Sequence, residues 1–204
     1  MVNSMVEHYF TQEPQSKHET IQFSVTLCGE EFVFKTDAGV FSKSQIDEGT
    51  RLLIDSLPIQ PGDRVLDLGC GYGPIGITAA RLVKNTGFVD VVDINERAVN
   101  LAKTNLALNK ITNAEVWQSD GFDSVAALYD WIISNPPIRA GKKVVYQMIE
   151  QSSAYCKIGG GLMLVIRTKQ GAKSMANKMQ QVFKNVQTVK IKAGYRVLKS
   201  IKIE

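Results

Sequence analysis

Hydrophobic and polar residues alternate strictly near the start of the chain. Further along, this alternation is replaced by short apolar runs and by segments with a helical period. Apolar residues occupy every second position from 21 to 27, the turn-forming residues 28–30 follow, and a second apolar run covers 32–34. An alternation of period two is typical of a strand with one buried face. The pattern therefore predicts an N-terminal β-hairpin that precedes the main fold and covers part of it.

Beyond the hairpin, short apolar runs alternate with longer segments that have a helical period. Predicted strands cover residues 64–67, 88–92, 114–118, 131–134 and 162–167, and predicted helices cover 45–57, 75–84, 96–109, 122–128, 144–157 and 172–183. Repeated strand–helix units predict an α/β fold, with a parallel sheet and helices on both of its faces. Two further strand-like runs, 186–192 and 195–203, follow each other without a helix, so the last strand is expected to be antiparallel.

Local signals set the expected boundaries of several elements. The first helix has Ser44 as its predicted N-cap, Asp47 at the capping-box position and Pro58 at its end. Residues 36–42, which precede it, are expected to form a loop. The glycines at 159–161 are expected to end the helix that comes before the last strand of the repeated units.

The segment 65–76 combines an apolar run, an acid, a series of glycines and a second apolar run. Asp67, Gly69, Gly71 and Gly73 spell D-x-G-x-G-x-G, which predicts a strand, a tight turn and the start of a helix. Glycine suits such a turn because it accepts positive φ and lets a ligand approach the backbone closely. The segment is therefore a candidate cofactor-binding turn.

Two cofactors would suit this turn, and Asp67 distinguishes between them. Gly71, Gly73 and Gly76 also spell the G-x-G-x-x-G pattern of dinucleotide-binding proteins, in which a pyrophosphate rests on the helix N-terminus. The carboxylate of Asp67 would repel that pyrophosphate. S-adenosylmethionine has no phosphate and carries an ammonium and a sulfonium, so the pattern favours S-adenosylmethionine. A glycine-rich turn without a ligand is the remaining alternative.

Polar side chains close four successive predicted strands, namely Asp67, Asp93, Asp120 and Asn135. In open α/β sheets, ligands bind outside the carboxyl ends of the strands, where the strand order reverses. Asp93 follows Gly71 by 22 residues, and a carboxylate there is able to accept both ribose hydroxyls of an adenosine. Asp120 is in a position to accept the exocyclic amine of adenine. For Asp93 the alternatives are an ordinary strand-end acid or the N-cap of the helix that starts at Glu96, and for Asp120 the alternative is the N-cap of the helix predicted at 122–128.

The segment Asn135-Pro136-Pro137-Ile138 directly follows the predicted strand at 131–134. Two prolines fix φ and make the turn rigid, so that the Asn135 amide oxygen and the Pro136 carbonyl are able to point at one place. Together they would accept both hydrogens of a planar amine, whose delocalised lone pair makes it a poor nucleophile. A purely structural Pro-Pro turn is the alternative, but such a turn does not require the asparagine.

The glycine turn, Asp93, Asp120 and the Asn-Pro-Pro-Ile segment together resemble class I S-adenosylmethionine-dependent methyltransferases that modify planar nitrogens. Residues 36–42 with Asp47, and residues 194–199, are similar to the catalytic domain of the ribosomal small-subunit guanine-N2 methyltransferase (RsmC-like) family. The resemblance covers almost the whole chain. It implies a Rossmann-like, seven-stranded sheet whose last strand is antiparallel.

The resemblance also implies residue roles, and the chain departs from the family pattern in two ways. Phe41 and Ser42 would lie near the methionine end of the cofactor. Better-known members carry a second, N-terminal methyltransferase-like domain, so this chain resembles the shorter members. Many nitrogen methyltransferases also have an aromatic residue after Asn-Pro-Pro, which stacks on a flipped base. Here Pro137 is followed by Ile138, which offers the substrate only apolar contact.

Charge is distributed unevenly along the chain. Residues 1–138 contain 10 Lys/Arg and 18 Asp/Glu, whereas residues 139–204 contain 14 Lys/Arg and 2 Asp/Glu. A basic C-terminal third predicts a polyanionic partner, here RNA and in particular ribosomal RNA or the small ribosomal subunit. A solvated lysine surface is the alternative. The candidate phosphate contacts near predicted strand ends are Arg139, Lys142, Lys143, Lys169 and Lys173.

Length and composition limit the class of protein. The 204 residues predict one domain, with a leader and hairpin at 1–35 and a core at 36–204. No apolar run is long enough to span a membrane, and the N-terminus lacks the basic-then-apolar pattern of a signal peptide. Three cysteines without C-x-x-C spacing indicate neither a disulfide framework nor a metal site, so a cytoplasmic location is expected. We expect a monomer or a weak dimer.

Three other functions compete with an RNA methyltransferase. A protein glutamine-amide methyltransferase would use the same amine-holding turn, but the basic C-terminal third and the lack of an aromatic residue after Pro137 argue against it. A non-enzymatic RNA-binding module would not need the intact Asp67, Asp93 and Asn135. An NAD enzyme would need a substrate domain and a hydride-site acid or base, neither of which is evident. The sequence therefore predicts methyl transfer to an exocyclic amine, with guanine N2 of ribosomal RNA as the expected acceptor.

Overall fold

The computed structural model describes residues 20–37 and 45–204 of the chain. Its strands are β1 (Thr20–Leu27), β2 (Glu30–Asp37), β3 (Arg64–Leu68), β4 (Phe88–Asp93), β5 (Ala114–Gln118), β6 (Tyr129–Ser134), β7 (Cys156–Arg167), β8 (Gln187–Lys192) and β9 (Tyr195–Ile201). Its α-helices are α1 (Glu48–Ile54), α2 (Pro74–Val83), α3 (Glu96–Leu108), α4 (Lys142–Tyr155) and α5 (Ala172–Phe183). Short 3₁₀ turns lie at Lys84–Thr86, Ile138–Ala140 and Thr168–Gln170.

Strands β3 to β9 form one seven-stranded sheet with the order β5-β4-β3-β6-β7-β9-β8. Strand β9 runs antiparallel to both of its neighbours, and the remaining neighbouring pairs are parallel. The chain order turns back between β3 and β6, which places the crevice for ligands at the carboxyl ends of these two strands. The predicted α/β fold, with a seven-stranded sheet and an antiparallel last strand, is confirmed.

Two apolar cores cover the two faces of the sheet. Successive residues of a strand point to opposite faces, so Val65 packs with α1, α2 and α3, whereas Leu66 packs with α4 and α5. Strands buried on both faces read as continuous apolar runs, which is the pattern seen in β3, β4 and β6. The apolar residues Phe32 and Phe34 of the hairpin extend the first core.

The N-terminal hairpin of β1 and β2 is attached to the main fold by two amide side chains of α3. The Asn105 side chain accepts from the Lys35 N–H (2.7 Å) and donates to the Lys35 carbonyl (2.8 Å). In the same way, Asn109 accepts from the Val33 N–H (3.0 Å) and donates to the Val33 carbonyl (2.8 Å). Each amide imitates a strand neighbour and satisfies the edge of β2, so the hairpin covers part of the main fold as predicted.

The predicted start of the first helix is wrong. Asp47, rather than Ser44, is the N-cap, because its carboxylate accepts from the N–H groups of Gly49 (3.0 Å) and Thr50 (3.1 Å). The helix is also shorter than predicted, ending at Ile54. Of the expected loop before it, residues 36 and 37 belong to β2, and residues 38–44 lie outside the described residues.

No helix forms over residues 122–128, in contrast to the prediction. The segment is a turn that is pinned by its neighbours. Phe122 and Val125 are buried in the second core, and the Ser119 hydroxyl accepts from the Ser124 N–H at 3.1 Å. Burial of two side chains and side-chain hydrogen bonding to the backbone outweigh the weak helix propensity of so short a segment.

The glycines at 159–161 do not separate a helix from a strand. Helix α4 ends at Tyr155, and β7 starts at Cys156 and continues through the glycines. A Cβ on Gly160 would lie 2.7 Å from the Asp130 carbonyl, and one on Gly161 would lie 2.4 Å from the Ser200 carbonyl. Glycine is therefore required here by the close approach of neighbouring strands. Within the described part of the chain, no helix is long and apolar enough to cross a membrane.

Candidate active site at the carboxyl edge of the sheet

The glycine turn connects β3 to α2 and has the backbone geometry that the sequence predicts. Gly69, Gly71 and Gly73 all have positive φ, at 75°, 58° and 89°. A Cβ on Gly69 would meet no atom within 4 Å, so this residue faces open space where a ligand is able to approach the backbone. The N–H groups of Gly69 and Cys70 both donate to the Val92 carbonyl, at 2.9 and 3.0 Å, which fixes the turn on β4.

Asp67 lies beneath this turn and is not among the residues that line the crevice. It is fully buried, and its Oδ2 atom accepts from the Gly76 N–H at 2.7 Å. Its Oδ1 atom has no hydrogen-bond partner among the described residues. Burial raises the pKa of Asp67 to about 7, the Gly76 hydrogen bond opposes that rise, and the charge of Asp93 adds to it. Asp67 is thus placed to hold α2 against β3 and to shape the turn from below.

Asp93, at the end of β4, joins the glycine turn to the start of α3. Its Oδ2 atom accepts from the Gly71 N–H at 2.8 Å, and its Oδ1 atom accepts from the Asn95 N–H at 2.9 Å. Burial raises its pKa, and backbone hydrogen bonds from Asn95, Gly71 and Ile94 oppose the rise. The N-cap of α3 is Asn95, so the alternative role of Asp93 as a helix cap is wrong.

Two adjoining clefts, of about 490 and 440 Å³, lie along the carboxyl ends of the strands. They meet at three shared residues, Gly69, Asp93 and Asn135. The structure therefore brings the glycine turn, the β4 acid and the Asn-Pro-Pro turn to one place, although they are far apart in the sequence.

The smaller cleft is acidic. Asp93, Asp120 and Asp123 line it, and none of the described residues that line it is a lysine or arginine. Such a cleft suits a ligand without phosphate that carries positive charge, and it would repel a pyrophosphate. Asp120 is exposed, and because no helix follows it at residues 122–128, its alternative role as a cap of that helix is wrong.

Asn135 stands at the junction of the two clefts. Its Nδ2 atom donates to Thr50 Oγ1 of α1 at 2.9 Å. The Pro136 carbonyl accepts from the Ile138 N–H at 2.9 Å, so one lone pair of that oxygen is engaged within the turn and one remains. Just before the turn, the buried Ser134 hydroxyl donates to the Leu68 carbonyl at 2.6 Å and holds β6 against β3.

The larger cleft has a wall that sequence reasoning missed. Tyr195, Arg167 and Gln170 line it together with Pro136 and Ile138. The Arg167 Nε donates to the Tyr195 hydroxyl at 2.8 Å, and the guanidinium carbon lies 4.8 Å from the centre of that ring. Because β9 is antiparallel, its first residue pairs with the last residue of β7 and so reaches the carboxyl edge. Two signals in the sequence pointed toward this wall: the predicted antiparallel last strand and the resemblance of residues 194–199 to the family.

The candidate phosphate contacts follow the ends of β6 and β7. Lys142 and Lys143 lie in the first turn of α4, and Lys169 and Lys173 lie in and after the 3₁₀ turn that follows β7, all with exposed side chains. Arg139 belongs to the 3₁₀ turn after Asn-Pro-Pro. The remaining site predictions, Phe41 and Ser42, lie outside the described residues.

The class I methyltransferase fold is defined by a doubly wound sheet of this strand order, with a glycine turn after its first strand (here β3) and an acid at the end of its second strand (here β4). The chain belongs to the methyltransferase small domain family, whose sequence model matches residues 31–199. Family and site together make it an S-adenosylmethionine-dependent methyltransferase.

Two other proteins are similar in sequence to most of the chain. The chain is 44% identical over 203 residues to the uncharacterized protein YbxB of Bacillus subtilis, covering 98% of this chain and 100% of that protein. It is 41% identical over 169 residues to ribosomal RNA small subunit methyltransferase C of Shewanella loihica, covering 80% of this chain and 44% of the relative. The chain thus spans less than half the length of that methyltransferase.

Solved structures with a similar fold include one that matches most of the chain. The 16S rRNA N2 methyltransferase (RsmC) of T. thermophilus, in complex with AdoMet and guanosine, has a TM-score of 0.82 and 27% sequence identity. The similarity covers 93% of this chain and 52% of that chain.

Proposed function

We propose that the chain transfers a methyl group from S-adenosylmethionine to the exocyclic amine N2 of guanine in small-subunit ribosomal RNA. The observation that carries the proposal is the position of Asn135. Its side chain lines both clefts, and Thr50 engages its amide nitrogen, which leaves the amide oxygen for an acceptor. One cleft is acidic, as a cationic cofactor requires, and the other is bounded by Arg167 and lies beside exposed lysines.

The cofactor would occupy the acidic cleft and the glycine turn. Asp93 has lone pairs left to accept ribose hydroxyls, and Asp120 would accept the adenine amine. Asp67 acts from below by holding the turn in shape. When bound, S-adenosylmethionine supplies an electrophilic methyl group on a sulfonium.

The chain's own contribution to the reaction is alignment of the acceptor. Asn135 Oδ1 and the free lone pair of the Pro136 carbonyl would accept the two hydrogens of the amine and direct its lone pair toward the methyl group. The nitrogen would bond to the methyl carbon as the methyl–sulfur bond breaks and leaves a neutral thioether, and the nitrogen would lose one proton to water. Correct orientation of two reactants lowers the barrier by ~7–11 kcal/mol in favourable cases, so alignment accounts for a large share of the expected rate enhancement.

Because Ile138 cannot stack on a base, another residue has to provide the aromatic contact, and Tyr195 is in a position to do so. Nitrogen methyltransferases often use the residue after Asn-Pro-Pro to stack on a flipped base, and isoleucine lacks a π-face. In this chain Tyr195 and Ile138 line the same cleft. We therefore assign the aromatic contact with the base to Tyr195, whose ring is already held by Arg167.

Two further observations support RNA as the substrate. The exposed lysines Lys142, Lys143, Lys169 and Lys173 lie after β6 and β7, beside the acceptor side of the site, where they would contact phosphates. Both the Shewanella relative and the T. thermophilus structure have names that specify small-subunit ribosomal RNA, and the latter holds guanosine. Such a substrate would place the protein in the cytoplasm.

The substrate class is tested by incubating the protein with cofactor labelled in its methyl group. The acceptors are small ribosomal subunits, deproteinised small-subunit RNA and total ribosomal protein, all prepared from cells that lack this protein. We expect label in N2-methylguanosine after nuclease digestion of the RNA from one or both RNA samples. Label in glutamine of the ribosomal protein sample, with none in RNA, would contradict the proposal and favour a protein methyltransferase.

The role of the amide is tested by Asn135→Ala. We expect turnover to fall at least about a hundredfold, which corresponds to ~2.7 kcal/mol of lost transition-state stabilisation, while cofactor affinity measured by calorimetry stays the same. Asn100→Ala is the matched control, because Asn100 is an exposed asparagine on α3, away from both clefts. Near-normal turnover of Asn135→Ala would show that the amide does not hold the acceptor.

A further inference from the structure

The hydroxyl of Thr50 is the partner that the structure gives to Asn135. Thr50 is 4% exposed and lies in the first turn of α1, on a different part of the chain from the Asn-Pro-Pro turn. Its Oγ1 atom accepts from Asn135 Nδ2 at 2.9 Å. Among the described residues, no hydrogen bond engages Asn135 Oδ1. The contact is therefore one-sided: the nitrogen of the amide is held and the oxygen is left available.

The orientation of this amide decides what the site is able to do. A carboxamide presents an acceptor oxygen or a donor NH₂ group, and a rotation of 180° about its last torsion exchanges them. Only the oxygen is able to accept a hydrogen from an amine. If the NH₂ group faced the acceptor instead, two donors would oppose each other. An asparagine without a fixed partner would populate both arrangements.

The backbone that carries Thr50 is itself fixed from two sides. The Asp47 carboxylate accepts from the N–H of Thr50 at 3.1 Å, as the N-cap of α1. On the other side, the Tyr195 ring packs directly against Gly49, where an added Cβ would lie 2.7 Å from a ring carbon. Because the threonine side chain is β-branched, it has few χ1 rotamers in a helix, which limits the positions that its hydroxyl takes.

We propose that Thr50 is a positioning residue: its hydroxyl holds the Asn135 side chain in place by binding the amide nitrogen, so that the amide oxygen is presented to the acceptor amine. This inference rests on the proposed function of Asn135. In this role Thr50 acts through Asn135 and needs no contact of its own with the substrate. It acts by binding the amide nitrogen, which makes the nitrogen unavailable to the acceptor side and leaves the oxygen as the exposed group.

The test compares three substitutions at this position. Thr50→Val keeps the shape of the side chain and removes the hydroxyl, Thr50→Ala removes the hydroxyl with no steric demand, and Thr50→Ser keeps the hydroxyl. With small ribosomal subunits as the acceptor, we expect kcat to fall about tenfold or more in the first two and to stay within about threefold in Thr50→Ser. Calorimetric affinity for S-adenosylmethionine should stay within about twofold in all three, because Thr50 lines only the larger cleft.

Ser56→Ala is the matched control for loss of a hydroxyl in the same helix region. The Ser56 hydroxyl donates to the Leu52 carbonyl at 2.7 Å, just after the far end of α1. Its loss perturbs the helix without touching Asn135, so kcat should not change. If kcat fell equally in Ser56→Ala and Thr50→Val, the effect would come from the helix and the proposal would be overturned.

A double substitution separates this proposal from the function on which it rests. If Thr50 acts through the amide alone, Thr50→Val should have no further effect on kcat in a chain that already carries Asn135→Ala. A tenfold loss in both backgrounds would overturn the positioning role. Normal kcat in Thr50→Val and Thr50→Ala, with a large loss in Asn135→Ala, would overturn it while the proposed function stands. Normal kcat in Asn135→Ala would refute the acceptor-holding role of the amide, on which this proposal rests, whereas the proposed function itself fails only if RNA takes up no label.

Discussion

Replacement of the buried Asp67 carboxyl group beneath the glycine turn should change how the stability of the protein depends on pH. Asp67 is fully buried, with one oxygen bonded to the Gly76 N–H and the other without a hydrogen-bond partner among the described residues. Burial raises its pKa from the usual value near 4 to about 7. Asp67→Asn replaces the carboxyl by an amide of similar shape that does not titrate, so the substitution isolates this one proton.

The direction in which stability changes with pH follows from where Asp67 binds its proton more tightly. Between pH 4 and pH 7 the folded protein binds a proton at Asp67 more tightly than the unfolded chain does, so stability from this group is present at low pH and is lost as pH rises. The shift spans roughly 3 pH units, each worth about 1.4 kcal/mol, which makes about 4 kcal/mol the upper limit of the effect. Relative to Asp67→Asn, the natural chain should lose stability from pH 4 to pH 7 and change little above pH 8.

The measurement is urea unfolding of both chains at several pH values between 4.5 and 8.5. The difference between their free energies of unfolding removes the pH dependence of all other groups that are independent of Asp67. Thr78→Val is the control, because it removes a buried hydroxyl from α2 and neither side chain titrates. A difference between Asp67→Asn and the natural chain that stays constant within about 0.5 kcal/mol over this range would refute the reasoning.

Two further predictions concern ligand binding. Asp93→Asn should weaken S-adenosylmethionine binding, measured by calorimetry, by about 10- to 100-fold, because a charge-assisted hydrogen bond contributes ~1.5–3 kcal/mol and the Gly71 N–H also loses its charged partner. The paired substitution of Lys142 and Lys143 by glutamine should weaken binding of small-subunit RNA. It should also flatten the dependence of log K on log salt concentration by about 0.7 for each lost phosphate contact.

Controls for both predictions come from elsewhere on the surface. Glu115→Gln neutralises an exposed acid of β5 that lines neither of the two clefts, and it should leave cofactor affinity unchanged. Substitution of Lys103 and Lys110 by glutamine removes two exposed lysines at α3, away from the site, and should leave the salt dependence as it is. Equal flattening by both lysine pairs would point to general charge attraction and away from contacts at the site.

Much of the fold could be predicted from the local pattern of hydrophobic and polar residues. Strand β5 and helix α5 have the predicted boundaries, because each is a clearly periodic segment with a turn at both ends. Two of the wrong predictions share a cause, which is contact with residues that lie elsewhere in the fold. Residues 122–128 have a weak helical pattern that two buried side chains override, and the glycines at 159–161 serve a close strand contact whose partners, at 130 and 200, lie far away in the sequence.

The candidate active site could be predicted only in part from the sequence. Asp93 and Asn135 follow strands and were identified because parallel strands end at the same edge of the sheet. Asp67 has the right place in the motif, yet it lies under the turn and outside the clefts. Thr50 carried no signal in the sequence, and Tyr195 was noted only as part of residues 194–199, whose resemblance to the family assigned it no role.

The sequence by itself determined the order of strands and helices, the glycine turn and the polar residues at strand ends, because these depend on periodicity, on backbone freedom and on the spacing of a few residues. The tertiary structure alone decided which side chains meet. The antiparallel β9 brings Tyr195 opposite Arg167, and packing of α1 on the sheet brings Thr50 to Asn135, 85 positions apart. A contact of that kind depends on how whole elements pack, and no local pattern encodes it.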